Sequence, residues 1–384
     1  MIILLSTIHY PLSTTLQARH YATGDPLTVR IEAGRIVGVE TITGVSPASL
    51  PWIAPAFFDV QINGCLGISF NSPTLTADQI HTVAKTCRNH GIGRFFPTLI
   101  TGSFAAILHG FTTLIAATEA DSELARSIPG YHLEGPYLSA EDGPRGAHPK
   151  EHIRDPDWDE FRRWQDAARG QIRMVTLAPE HPGALRFIEQ LTASGVVVAI
   201  GHTAATGPQI RAAVDAGAKI STHLGNGCHA MLPRHDNYIW EQLADDRLWA
   251  SIIPDGHHLP ASVVKSVVRV KTPQRLILTC DASSLAGLPP GRYAEWGQAF
   301  DVQVSGKIIV PNTPFLAGSG HFTDHCVSQL LKMTDLTLRD AIDMVTQRPC
   351  ELFGLPIPSI AVGKPANVIV FDWQPGGEIR VNPC

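Results

Sequence analysis

The chain has 384 residues, a length that suits one large barrel with a small accessory domain, or two to three ordinary domains. Hydrophobic residues make up 44% and charged residues 17%, which supplies a sizeable core and excludes a disordered chain. With 30 basic against 35 acidic side chains the formal net charge is -5, so the basic footprint of a nucleic-acid binder is missing and no nucleic-acid partner is expected.

The seven cysteines are dispersed, odd in number and never spaced as a CxxC pair, which argues against a disulfide framework or a thiolate zinc site and for reduced thiols in a cytoplasmic protein. The apolar start Met1-Ile-Ile-Leu-Leu has no basic flank and turns polar within about ten residues, too short for a signal core or a membrane span. It reads as a β-strand, and no membrane partner is expected.

From there to residue 53 the chain reads as short strands and turns. Leu27-Thr-Val-Arg-Ile-Glu alternates apolar and polar, Ala33-Gly-Arg turns, and Ile36-Val-Gly-Val follows, a hairpin pattern. The far end has the same character, since Ala366-Asn-Val-Ile-Val-Phe-Asp is a strand after the Gly363-Lys-Pro turn. Residues 1–53 and 357–384 are therefore predicted to form one small β-sandwich domain from both termini, flanking a continuous domain over 54–356.

The middle alternates strands and helices. Eight strands are predicted at Phe57–Ile62, Arg94–Leu99, Gly130–Leu133, Ile172–Leu177, Val196–Ile200, Lys219–Thr222, Trp249–Ile253 and Arg275–Thr279. Most are short apolar runs, as strands covered on both faces should be. Helical stretches fall between them, among them Ala77–His90, Pro182–Ser194, Gly207–Ala216 and Leu259–Val270. This is the pattern of a (β/α)8 TIM-type barrel, with a doubly wound open sheet as the runner-up.

Catalytic groups in such a barrel stand at the C-terminal ends of the strands. Asp59, Gln61 and Asn63 come at the end of strand one; His132-Leu-Glu134 follows strand three; Gly201-His202 follows strand five; His223-Leu-Gly-Asn226 follows strand six; Asp255-Gly-His257-His258 follows strand seven; Asp281 follows strand eight. One such residue means little, because a lone histidine at a strand end is more often a hydrogen-bonded packing residue. Six strand ends in register mean a site. Glu134, His202 and His223 form the best metal set: two imidazoles and a carboxylate suit one zinc per chain and leave a fourth position open, while iron, cobalt and manganese accept the same donors. Asp281 is the candidate general base. The competing role is a helix cap, which its place after strand eight disfavours.

Several motifs together resemble the N-acetylglucosamine-6-phosphate deacetylases of the amidohydrolase superfamily. They are Asp59-Val-Gln61-Ile-Asn63-Gly, His132-Leu-Glu134-Gly-Pro-Tyr, Gly201-His202-Thr, Thr222-His223-Leu-Gly-Asn226, Asp255-Gly-His257-His258, Thr279-Cys-Asp281-Ala and Leu316-Ala-Gly-Ser319. They follow the family's order over nearly the whole chain. The resemblance implies hydrolysis of the N-acetyl group of an amino-sugar phosphate, with Asp281 as base and acid. It implies that His148 polarises the substrate carbonyl, that Asn226, Gly227 and His258 contact the substrate, and that Arg234 reaches the phosphate in a neighbouring subunit's site, hence a homodimer.

Three departures stand out. The His-x-His pair of many amidohydrolases is replaced by Asp59 and Gln61, so one tightly held metal is expected, with these two residues forming a weak second site or its remnant. The loop after strand six carries two extra histidines, His229 and His235, which read either as solvated residues or as a changed substrate pocket. The strand-seven motif carries His257 beside His258, a substrate contact or a packed neighbour. His321 and His325, around Asp324, read as a packing pair, Trp158, Trp164 and Trp240 as core or interface residues, and Glu295-Trp296 is a segment that could help close the site. Two other readings compete: the same machinery on a different acylated amino sugar or a cyclic amide, and a non-catalytic sugar-phosphate binder. The first lacks the strand-four lysine expected in a two-metal site, since that strand runs out as Thr176-Leu-Ala-Pro-Glu180; the second is disfavoured by four intact candidate residues.

Overall fold

A computed structural model describes residues 13–382 apart from 296 and 314; the predicted strand at Met1–Leu5, Trp296 and Cys384 therefore lie outside the described residues. All eight predicted barrel strands are present, at Phe57–Ile62, Ile92–Ile100, Tyr131–Glu134, Ile172–Leu177, Val197–Ile200, Ile220–Ser221, Trp249–Ile252 and Leu276–Leu278. They are neighbours in sequence order within a single sheet, and every pairing is parallel. The four named helices are also present, as Ala77–Asn89, Ala184–Ala193, Gly207–Asp215 and Ala261–Lys271.

Alternation along these strands divides the barrel interior into layers. At the lower end Phe58, Val60, Phe96, Met174, Ala199, Ile220 and Ile277 meet in an apolar plug, closed from below by Cys350 and Phe353 of the helix Gln347–Phe353. Phe96 packs edge-on to both Phe58 and Phe353, with centroids 5.1 and 4.8 Å away. Above the plug lies a polar layer: His132 bridges Thr98 and Thr176 at 3.3 and 2.7 Å, and Thr176 continues to Thr222 at 2.7 Å. Burial pushes the His132 imidazole down to about 4, so it is neutral there. The mouth, with the predicted metal set, is the next layer up.

The seam between strands eight and one is closed by side chains as well as backbone. Asn63 N–H donates to the Ala282 carbonyl at 2.9 Å, extending an Ile62–Ala282 bridge. Below it, fully buried Asp59 accepts from the Gln61 amide at 3.0 Å, the Thr279 hydroxyl at 2.5 Å, the Cys280 amide at 2.9 Å and the Thr323 hydroxyl at 2.7 Å. Both carboxylate oxygens are thus committed to holding strand one against strand eight and the helix Thr323–Met333.

The two ends of the chain meet in one sheet, as their shared strand pattern predicts. Ser13–His20, Pro26–Glu32, Arg35–Thr41 and Trp52–Pro55 join Val368–Asp372 and Arg380–Val381 in six strands over a core that includes Val29, Ile31, Ile36, Ile53 and Val368. Positive φ at Ala33 and Gly34, 46° and 73°, gives the hairpin the turn twist that such two-residue loops favour. One element has no counterpart among the predicted ones: after strand eight, Gly291–Glu295, Gln298–Val302, Lys307–Ile309 and Leu316–Ser319 form a four-stranded antiparallel sheet beside the mouth. The six cysteines among the described residues are unpaired, and no described helix is long and apolar enough to cross a membrane.

Replacing Asp59 with Ala strands four buried donors. We expect Asp59→Ala to lower unfolding stability by about 3 kcal/mol or more, read from chemical denaturation, and a loss below about 1 kcal/mol would contradict the seam assignment.

Candidate active site

Three strand ends bring three metal-competent atoms together. Glu134 ends strand three, and His202 and His223 lie just beyond strands five and six. Glu134 Oε1 is 3.0 Å from His223 Nε2 and 3.4 Å from His202 Nε2, and the two Nε2 atoms are 3.1 Å apart. All three side chains are buried, and they form the one group of this kind among the described residues. Burial alone would push the Glu134 carboxyl up, but the two imidazoles together hold it well below the usual carboxylate range.

The donor set fits a divalent cation. Tetrahedral bonds of about 2.0–2.1 Å place ligand atoms about 3.3 Å apart, close to the spacings observed here. His202 Nδ1 donates to the Pro144 carbonyl at 2.8 Å, which fixes the tautomer and leaves the Nε2 lone pair directed at the cluster. Two glycines make room for this ring. A Cβ on Gly227, at φ +55°, would lie 2.6 Å from His202 Nδ1, and one on Gly146, at φ +58°, would lie 3.2 Å from its Cε1. Gln61 Nε2 donates to Glu134 Oε1 at 3.0 Å, so this strand-one residue orients the carboxylate.

Backbone geometry aims the residues inward. His202, His223 and Asp281 adopt φ of 52°, 29° and 50°, a region that residues with a Cβ enter at a cost. Each follows a barrel strand directly or within three residues, so the left-handed residue turns the chain out of the strand while its side chain stays over the mouth. Asp281 accepts from Asn63 Nδ2 at 2.7 Å. Burial, helped by the nearby negative charge of Glu134, pushes its carboxyl up to about 7. His148 sits edge-on to His202, with centroids 4.4 Å apart, and its Nδ1 meets the Thr101 hydroxyl at 2.9 Å. Burial pushes His148 down to about 3, so it is a neutral imidazole.

A cavity of about 340 Å³ is lined by Glu134, His148, His202, His223 and Asp281 together with Asn226, Gly227, His257 and His258. Asp255 anchors the strand-seven loop: it accepts from the His257 and His258 amides at 2.8 and 2.9 Å and pairs with His258 Nδ1 at 2.8 Å. Burial would raise the Asp255 carboxyl, but His258 and these amides hold it below its ordinary range.

Other sequence candidates fall elsewhere. Arg234 and His235 are exposed and do not line this cavity. His229 turns to Tyr238 and Glu141, each at 3.0 Å. Asp59 lies in the seam below. His321 and His325 stack at 3.8 Å and donate to the backbone carbonyls of Ser305 and Asp255 at 2.9 and 3.3 Å, a packing pair. Trp164 is fully buried while Trp240 is 55% exposed. The strand-one motif points to Asn63 without giving it a role, and nothing in the sequence points to Thr101 or Lys307 or gives Ser319 a task; a hydroxyl or carbonyl that orients another side chain leaves no spacing signal in sequence.

A parallel barrel whose mouth carries a buried Glu–His–His cluster beside a second buried carboxylate is the architecture of the metal-dependent amidohydrolases. No family model matches the chain. It is 32% identical over 352 residues to N-acetylgalactosamine-6-phosphate deacetylase of Escherichia coli O157:H7, covering 91% of both chains. It is 36% identical over 340 residues to human N-acetylglucosamine-6-phosphate deacetylase, covering 83% of this chain and 79% of that one. The Mycobacterium smegmatis N-acetyl-D-glucosamine-6-phosphate deacetylase, solved as a mutant with N-acetyl-D-glucosamine-6-phosphate, superposes with a TM-score of 0.84 at 31% identity, over 97% of this chain and 100% of that one. The chain belongs to the N-acetylglucosamine-6-phosphate deacetylase family.

If the cluster is a metal centre, elemental analysis of the purified protein should find about one divalent ion per chain, and His202→Ala or His223→Ala should lower metal affinity at least about tenfold. Undiminished metal retention in both variants would contradict the assignment.

Proposed function

We propose that this chain hydrolyses the N-acetyl amide of an amino-sugar 6-phosphate, N-acetylglucosamine 6-phosphate first among them, to the free amine and acetate. The observation that carries this reading is the convergence of Glu134, His202 and His223 within hydrogen-bonding distance of one another, in one cavity with Asp281 and His148. Family membership supports the substrate class, since the relatives named above act on hexosamine 6-phosphates of both gluco and galacto type.

Glu134, His202 and His223 would hold one divalent ion, zinc by donor type. When bound, that ion supplies Lewis acidity, polarising the amide carbonyl and making a water more acidic. Asp281 accepts the proton of the attacking water and returns it to the departing nitrogen. Its buried carboxyl, held by Asn63, suits both tasks because its proton affinity lies nearer neutrality than that of a solvated aspartate. His148 is neutral; in the tautomer whose Nδ1 accepts from the Thr101 hydroxyl, its proton sits on Nε2, where it donates to the carbonyl oxygen as negative charge develops. Asn226, the Gly227 backbone and His258 position the sugar.

Arg234 lies outside its own cavity, on a surface that also exposes Met231 and Trp240. We place it in the site of a second copy, where a guanidinium matches phosphate, so the functional unit is a homodimer. Residues 1–53 and 357–384 act as one accessory domain beside the 54–356 barrel. Unpaired cysteines suit a reducing compartment, the cytoplasm.

Acetate release should be fast from N-acetylglucosamine 6-phosphate and slow from the unphosphorylated sugar; no release from either would refute the reading. Asp281→Asn should lower kcat by about 10²-fold or more while metal content stays, and survival within about tenfold would remove Asp281 as the base. Asp281 works deprotonated, so kcat/KM should fall with decreasing pH. The bound ion offsets the influence of Glu134, so the midpoint should lie between the ordinary carboxylate range and about 7. A profile flat down to about pH 4 would contradict this.

A further inference from the structure

The four-stranded sheet after strand eight delivers one charged side chain to the cavity. In the strand Lys307–Ile309, Ile308 turns into a small apolar cluster with Leu285, Phe300 and Val302. Period-two alternation sends Lys307 to the opposite face, and it lines the same cavity as Glu134, His258 and Asp281. Among the described residues lining that cavity, Lys307 is the one lysine or arginine. Arg234, the cation expected from sequence, is exposed elsewhere.

The backbone carrying Lys307 is pinned rather than loose. The Gly306 amide donates to Gln303 O and the Gln303 amide to Lys307 O, both at 2.9 Å, closing the turn before it. Two imidazoles fasten that turn to the barrel: His257 Nε2 and His321 Nε2 donate to the Ser305 carbonyl at 3.0 and 2.9 Å. Gly306 permits the close approach, since at φ +81° a Cβ there would lie 2.4 Å from His321 Nε2. On the other side Lys307 pairs with Ser319, whose hydroxyl donates to Asp255 Oδ2 at 2.9 Å, the same oxygen that meets His258 Nδ1. The strand-seven loop and the added sheet thereby form one rim, with Lys307, His257 and His258 facing the cavity.

We infer that Lys307 is a specificity-determining residue supplied by the chain itself: its ammonium binds the phosphate of the amino-sugar phosphate, and His257 positions it by clamping the Ser305 turn. This rests on the substrate reading above. A phosphate monoester carries a charge of about -1.5 to -2 at neutral pH, and an ammonium on a flexible stem meets it as a point charge without bidentate geometry.

The test compares wild type with Lys307→Ala, Lys307→Gln and Lys307→Arg on N-acetylglucosamine 6-phosphate and on the unphosphorylated sugar. Removing the ammonium should raise KM for the phosphorylated sugar about 10- to 100-fold and cut the preference for it by the same factor, with Lys307→Arg restoring most of both. A preference kept within about twofold, or a kcat/KM loss equal for the two sugars, would overturn the assignment. Wild type that hydrolyses neither sugar would refute the substrate reading separately. Calorimetric binding of glucosamine 6-phosphate then decides Lys307: weaker binding by Lys307→Ala supports it, while equal affinity, or no binding by wild type, overturns it.

Discussion

A carboxylate kept dry between two imidazoles is the constraint on which the rest of the mouth depends. Taking the Glu134 charge out of water is costly unless opposite charge or donors surround it. Here Gln61 supplies one donor from strand one, and His202 and His223 face the same oxygen. Because His202 Nδ1 donates to the Pro144 carbonyl, its Nε2 is the atom that faces Glu134 and His223 Nε2. Three Lewis-basic atoms at these separations need a shared proton or a shared cation. That requirement accounts for Gly227 against the His202 ring: a Cβ there would lie 2.6 Å from Nδ1 and push the imidazole off the point the other two share, while one on Gly146 would crowd the ring at 3.2 Å.

The scaffold separates stability from chemistry by height. The lower plug is built from apolar aromatic, aliphatic and sulfur-bearing side chains and is capped by Phe353. The middle layer is polar but satisfied within itself through His132 and its threonines. At the top His202, His223 and Asp281 hold strained backbone conformations, which persist because the strands beneath fix the ends of each turn. Asp59 links the levels. Its carboxylate accepts four hydrogen bonds, from Gln61 within its own strand, from Thr279 and Cys280 at the end of the last strand, and from Thr323 of the helix behind them.

Much of this is legible in the sequence, for identifiable reasons. Strands buried on both faces read as short apolar runs, so all eight are predicted within a few residues of their bounds, and strand ends then point to Glu134, His202, His223 and Asp281. The hairpin around Ala33–Gly34 is legible because one of its faces is dry and the other wet. The sheet over 291–319 is not, because its strands are short and mostly half-buried: Gly291–Glu295 has no buried residue, and Lys307–Ile309 has one. Without that sheet Lys307 also stays hidden, since its place at the cavity depends on pairing with Ser319. Orienting groups such as the Thr101 hydroxyl and the Pro144 carbonyl are contributed by loops, and only the folded chain brings them to His148 and His202.

The most direct test of the central claim is a reconstitution titration: strip the protein of metal, add back zinc in fractional equivalents, and follow acetate release from N-acetylglucosamine 6-phosphate. Activity that rises linearly and breaks near one equivalent per chain is expected if Glu134, His202 and His223 form a single metal centre that carries the hydrolysis. Full activity without metal, or a break only near two equivalents, would contradict it.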